Sequence, residues 1–171
     1  MKRVWAPWRV EYVRQTGQKG CIFCRAWKSD KDRENYVVHR CADAFVMLNA
    51  YPYTSGHLMV APRRHVGDVT RLSTDELAEL MEATKLSVRA LRRAFKPQGF
   101  NIGINLGRVA GAGVEDHIHI HVVPRWAGDT NFMPVLGDTR VIPEALDRTH
   151  RLLTQAFRAV TKQSGRPRQA R

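Results

Sequence analysis

Apolar residues recur along this chain in two rhythms, and the change of rhythm marks out its elements. The runs "YVVH" (36–39), "AFVMLN" (44–49) and "HLMVAP" (57–62) are apolar stretches of strand length. The turn-rich "AYPYTSG" between the last two predicts a hairpin with a longer connection. Over 73–95 the period lengthens. Leu77, Leu80, Met81, Thr84, Val88 and Leu91 return at three- and four-residue steps, Ser73 offers an N-cap and Glu76 completes a capping box. Pro97 and Gly99 end this helix. A glycine-containing strand, "GFNIGINLG", follows, then the loop "RVAGAGVED". In "DHIHIHVV" (116–123) polar and β-branched residues alternate from His117 to Val122, which reads as a half-buried strand that Pro124 closes. Beyond the loop "AGDTNFMPVLGDT", Pro143 suits the first turn of a second helix through Leu152, Leu153 and Phe157. Strands joined by turns, with one long helix between the hairpin and the final strand pair, predict an α+β fold: an antiparallel sheet with a long helix and a C-terminal helix packed on it.

The 171 residues, 43% of them hydrophobic, suffice for one domain with a real core. Its expected extent is 21–160, preceded by an arm (1–20) containing Trp5, Pro7 and Trp8. The last stretch, "TKQSGRPRQAR" (161–171), lacks a core-forming pattern and reads as a disordered basic tail. Lys and Arg outnumber Asp and Glu 28 to 16, for a net charge of +12, which favours anionic partners. Because part of the excess sits in that tail, nucleic acid is not expected as the main partner. No run approaches the roughly 18 apolar residues of a membrane span, and "MKRVWAPWRVEYV" lacks the apolar stretch of a signal peptide, so a cytoplasmic protein is expected. Three cysteines argue against a disulfide framework.

The candidate chemistry lies in the alternating strand. His117, His119 and His121 share one face, successive imidazoles roughly 6 to 7 Å apart, right for lining one groove. A single histidine there would be an ordinary strand residue; three in phase point either to metal ligation or to phosphate chemistry by a nucleophilic imidazole. Cys21 and Cys24 have the spacing of half a zinc site, of a redox pair, or of two buried thiols. Cys41 stands alone and reads as a small buried hydrophobe.

With "HIHIHVV", the pattern His-x-His-x-His followed by two apolar residues, the chain resembles the histidine-triad family of nucleotide-binding hydrolases and transferases. "LNAYPYTSGHLMVAPRRH", "GFNIGINLG" and "HVVPRWAGDTNF" resemble its branch of dinucleoside polyphosphate hydrolases and phosphorylases, close to the fragile-histidine-triad proteins. The likeness runs from about Cys21 to Leu153. It implies that His119 is a nucleophile attacking the α-phosphorus of a bound nucleotide, that His121 holds a phosphate oxygen or helps the leaving group depart, and that His57 supports them. It further implies that Asn49 binds ribose hydroxyls and Asn105 contacts phosphate, although the spacing from Asn105 to the triad is one residue longer than in the fragile-histidine-triad branch. Many relatives carry Gln then Ser or Thr where this chain has Gly113 and Val114; backbone amides of the loop 111–114, including Gly111, are then the expected anion contacts.

Members with "CxFC" near the start complete a zinc site with a histidine closing "P-x-x-H" and with the first triad histidine. That likeness assigns Cys21, Cys24, His65 and His117 to a closed, structural Zn2+ site, with no organic cofactor. It also implies a homodimer; the helix beginning at Ser73 offers an interface, and Trp5 and Trp8 either clasp the partner subunit or fold back with the arm on their own sheet. The expected enzyme is thus a nucleotidyl hydrolase or phosphorylase acting on dinucleoside polyphosphates. A nucleoside phosphoramidate hydrolase and a nucleotide sensor with little turnover are the alternatives.

Overall fold

The structure, a computed structural model, describes residues 20–129 and 145–164. Within them the elements follow the order α1 (Ile22–Lys28), β1 (Val37–Arg40), β2 (Ala44–Leu48), β3 (Leu58–Pro62), α2 (Thr74–Phe95), β4 (Gly99–Ile104), β5 (Ile120–Arg125) and α3 (Leu146–Ser164). The five strands form one antiparallel sheet in the spatial order β1-β2-β3-β5-β4. This is the α+β architecture the sequence predicts. The predicted hairpin is β2–β3, paired from Ala44–Pro62 to Leu48–Leu58.

Every residue of β2 and β3 is buried, because both faces of the sheet are covered. On one face Val46, Leu48, Leu58, Val60, Ile118, Ile120 and Val122 meet α2 and α3. The strip of α2 that packs there is Leu80, Ala83, Thr84, Ser87, Ala90 and Leu91, whose small members let the helix lie close. Leu77 and Met81, members of the predicted period, are instead exposed on its flank. Ser73 and Glu76 form the predicted capping box, and Lys96 closes the helix in the left-handed conformation. Gly56, with φ +82°, turns the chain into β3; a Cβ there would stand 3.0 Å from Leu91 Cδ2.

The opposite face carries a smaller apolar cluster of Phe23, Ala26, Val37, Phe45, Met47, Met59 and Ala61, closed by α1. This seven-residue helix has no counterpart among the predicted elements. It is too short to be stable alone and forms through its packing. Arg40 secures its C-terminal end, donating to the carbonyls of Ala26, Trp27 and Ser29 at 2.7–2.9 Å and pairing with Asp32.

Pro124 does not close the histidine strand; β5 runs through it to Arg125. The neighbouring β3 begins at Leu58 opposite Val122, so Pro124 lies beyond its end and the missing N–H removes no ladder bond. The Pro124 carbonyl instead accepts the Thr54 hydroxyl at 2.9 Å. The C-terminal helix continues to Ser164, four residues into the stretch expected as tail. The arm with Trp5 and Trp8, the loop 130–144 and residues 165–171 lie outside the described residues.

Candidate active site and metal centre

Strand alternation sends Ile118, Ile120 and Val122 into the helix-covered core and leaves His117, His119 and His121 on the α1 side. Ile118 anchors the start of this segment by donating its N–H to Val66 O at 2.7 Å. In the sheet, His121 lies in a cross-strand row with Met47, Met59 and Gly103. Gly103 leaves open space beside the imidazole. His57, at the entry to β3, is fully buried, and its Nε2 lies 2.9 Å from His121 Nδ1.

The hydrogen bonds assign a tautomer to each ring. The Tyr53 N–H points at His57 Nδ1 from 3.2 Å, so that nitrogen accepts and His57 Nε2 carries the proton. That proton is donated to His121 Nδ1, which leaves His121 presenting an Nε2–H. His119 donates Nδ1–H to the His117 carbonyl at 2.9 Å, leaving a lone pair on Nε2. His117 donates Nε2–H to Pro62 O at 2.8 Å, leaving a lone pair on Nδ1. Burial holds all three triad imidazoles below the ordinary histidine range. His117 and His121 are pushed down to about 4, with neighbouring histidine charge as a lesser cause in both. In His119 the carbonyl bond partly opposes the shift. At neutral pH the strand therefore offers two bare nitrogens, His117 Nδ1 and His119 Nε2, and one N–H donor, His121 Nε2–H.

The His117 lone pair faces three other donors. Cys21 caps the N-terminus of α1 and Cys24 follows one turn later; His65 comes from the turn after β3. His117 Nδ1 lies 3.3 Å from Cys21 Sγ, 3.6 Å from Cys24 Sγ and 3.3 Å from His65 Nδ1. Cys24 Sγ and His65 Nδ1 are also 3.3 Å apart. All four ligand atoms fall within 4.8 Å of one another. Bonds of about 2.3 Å to sulfur and about 2.0 Å to nitrogen give tetrahedral edges of roughly 3.3–3.8 Å. The set thus fits one tetrahedral cation, with soft thiolates and borderline imidazoles suited to zinc. The protein surroundings alone push the Cys24 thiol up, through burial first and Cys21 second; a cation reverses that balance. Gly67 permits the convergence: a Cβ there would sit 2.6 Å from Glu115 O, so only glycine lets the chain after His65 press against the segment before His117.

Of the expected nucleotide contacts, Asn49 is placed beside His57, with Nδ2 3.4 Å from His57 Nδ1 and Oδ1 accepting the Tyr51 N–H. Asn105 stands at the end of β4, one position past the Ile104–Ile120 pair. The glycine loop is only partly available as an anion nest. Gly111 N–H is spent on Arg108 O and Ala112 N–H on Gly107 O. Of the loop residues named, Gly113 and Val114 remain, and Val114 packs against the α1-side cluster. An open cleft of about 560 Å³ lies beyond His65, between Asp68, Arg71, Glu115 and Asp116; His119 and His121 do not line it.

Two residues escape the sequence reading. Phe23, between the cysteines, is fully buried with its ring 5.0 Å from that of His117 and 4.8 Å from that of His119. Tyr53, 45% exposed, lies with its ring 4.6 Å from His57 and 6.2 Å from His121. The motif "CIFC" is the one signal that could have singled out Phe23; nothing local marks Tyr53.

Comparison with known proteins places this site in context. A family model described as the HIT domain matches residues 31–128. An AP-4-A phosphorylase of Mycobacterium tuberculosis is 40% identical over 161 residues, covering 90% of this chain and 83% of that protein. An adenosine 5'-monophosphoramidase of Schizosaccharomyces pombe is 30% identical over 105 residues, covering 61% of this chain and 74% of that one. Among solved structures, a Zn-bound histidine triad family protein from Mycobacterium smegmatis superposes with a TM-score of 0.68 at 28% identity, covering 86% of this chain and 99% of that one.

Proposed function

The chain belongs to the HIT domain family, and on that premise we propose that it is a nucleotidyl hydrolase or phosphorylase cleaving dinucleoside polyphosphates, such as diadenosine tetraphosphate, at the α-phosphate. One observation carries this reading: the rings of His119 and His121 lie 4.8 Å apart, and hydrogen bonds at their Nδ1 atoms leave a bare Nε2 on the first and an Nε2–H on the second. His119 Nε2 attacks the α-phosphorus and the P–O bond to the remaining polyphosphate breaks. The leaving nucleotide departs as its phosphate anion and needs no proton. His121 Nε2–H, backed by His57, donates to a phosphate oxygen as charge develops. The resulting nucleotidyl-imidazolium keeps its Nδ1–H on the His117 carbonyl. An acceptor oxygen then attacks phosphorus, the P–N bond breaks and the electron pair returns to His119; a water acceptor gives up its proton to solvent, and inorganic phosphate attacks as its anion. With water the products are those of a hydrolase; with inorganic phosphate, those of a phosphorylase.

In this reading Asn49 turns its amide toward ribose hydroxyls, and Asn105 with the backbone of Gly111, Gly113 and Val114 frames the phosphates; the free amides of the last two are the anion contacts. Cys21, Cys24, His65 and His117 hold zinc. With four protein ligands the ion has no open position, so it supplies structure and takes no part in the transfer. None of the three cysteines is in a disulfide, which supports a reading as a cytoplasmic enzyme; no helix among the described residues is long and apolar enough to cross a membrane. A homodimer is supported by β4 at the sheet edge, with Ile102 and Ile104 exposed, and by Leu77 and Met81 exposed on α2.

Incubation with diadenosine tetraphosphate, with and without inorganic phosphate, tests the proposal. Phosphate-dependent ADP and ATP define a phosphorylase; AMP and ATP in water alone define a hydrolase. Binding without product contradicts both and supports a sensor. Turnover restricted to adenosine 5'-phosphoramidate instead supports the reading suggested by the likeness to the monophosphoramidase.

A further inference from the structure

We infer that Phe23 is a positioning residue for His119, and that through it and the His117 carbonyl the Cys/His metal centre sets the aim and tautomer of the nucleophile. The inference rests on the reading of His119 as nucleophile.

His119 makes a single hydrogen bond among the described residues, from Nδ1–H to the His117 carbonyl. One bond at one corner of a ring fixes a point and a distance. It leaves the ring free to swing about that corner, and Nε2, on the far side, moves most. The ring plane is fixed by its faces. Phe23 lies against it at 4.8 Å with the planes 34° apart, and His121 abuts it at 4.8 Å with the planes 76° apart. His121 is itself held by His57, and Phe23 is the aromatic wall on the α1 side.

That wall is built into the metal centre. Phe23 sits between Cys21 and Cys24 in the short helix α1, and its ring also lies 5.0 Å from that of His117. His117 contributes twice, its Nδ1 to the donor cluster and its carbonyl to His119. A cation that draws Cys21, Cys24, His65 and His117 together therefore clamps both restraints on the nucleophile in one act. Arg40, bonded to the last carbonyls of the helix, holds its far end.

The experiment uses the full-length zinc-loaded protein and its Phe23→Leu variant, which keeps an apolar side chain and both cysteines. Histidine imidazole ¹⁵N–¹H spectra read the His119 tautomer. Wild type should show one species with the proton on Nδ1. Phe23→Leu should retain its zinc yet show mixed tautomers, with kcat down ~10- to 100-fold and KM for diadenosine tetraphosphate within about twofold. Restoring an aromatic ring with Phe23→Tyr should recover the single tautomer. A Phe23→Leu protein with one Nδ1–H tautomer and wild-type kcat overturns the inference. Should Phe23→Leu fail to fold, stepwise chelation of wild-type zinc decides: loss of the single tautomer supports the coupling, and His119 signals that stay fixed in folded, zinc-free protein overturn it. Failure of the nucleophile reading is seen separately, as His119→Ala protein that still transfers nucleotide.

Discussion

The two faces of the sheet are buried to similar degrees by opposite means. On the helix-covered face, Leu58, Val60, Ile120 and Val122 meet Leu80, Leu91, Leu153 and Phe157, apolar against apolar. On the α1-covered face His57, His117 and His119 are nearly as deep, at 0–4% exposure. Each of those imidazoles has a specified partner: the Pro62 carbonyl, the His117 carbonyl, the Tyr53 N–H. Apolar packing is tolerant of substitution at constant volume. Buried polar groups are not, because an unmet donor or acceptor costs about 1–3 kcal/mol. Changes on the helix face should therefore alter stability alone, whereas changes on the histidine face should alter chemistry and stability together.

Substitutions on either face can break that division. The largest effect expected is from His119→Ala, which should lower nucleotidyl transfer by ~1000-fold or more while nucleotide affinity stays within about tenfold, measured by single-turnover kinetics and calorimetry. Leu91→Ala, deep on the helix face, should cost about 2–5 kcal/mol in denaturant unfolding and leave kcat of the folded fraction unchanged. A comparable loss of kcat would show that the faces are not separable.

Acid should act through the histidine face. Burial holds His121 at about 4, below its ordinary 6.5, so the folded state disfavours its protonation. The sign follows from linkage. The unfolded chain takes up that proton first, so stability is complete above about pH 6.5 and falls as pH drops toward 4. Unfolding midpoints measured from pH 7.5 to 4 should show the decline, and a His121→Asn variant should lessen it, leaving the part that His117 and His119 contribute. The smallest effect is a control: Ser73→Ala removes one cap of α2 and should cost about 1 kcal/mol with no change in kcat.

Much of the helix face was legible in the sequence, since one period reports one buried surface: β2, β3 and α2 follow from their apolar runs and from the Ser73–Glu76 box. The period could not tell which of two adjacent strips packs, so Leu77 and Met81 carry the right spacing and lie outside the core. On the histidine face the alternation put three imidazoles on one side, and family likeness divided them between metal and phosphate. The helix α1 was not legible, because seven residues carry too little periodicity and form only against Phe45, Met59 and the Arg40 clamp. Pro124 misled for a related reason: its cost depends on where β3 stops, a fact of pairing rather than of local sequence. Tautomers were out of reach altogether. Each is set by a partner 2 to 64 residues away, from the His117 carbonyl beside His119 to His57 facing His121.

The central claim is that His119 becomes covalently nucleotidylated. Rapid mixing of the zinc-loaded protein with diadenosine tetraphosphate, followed by an alkaline quench and peptide mass spectrometry, tests it directly. The account predicts an adenylyl group on the peptide carrying His119, appearing before product and discharged by acceptor. Product formation with no adduct on the enzyme, or an adduct on a different residue, would contradict it.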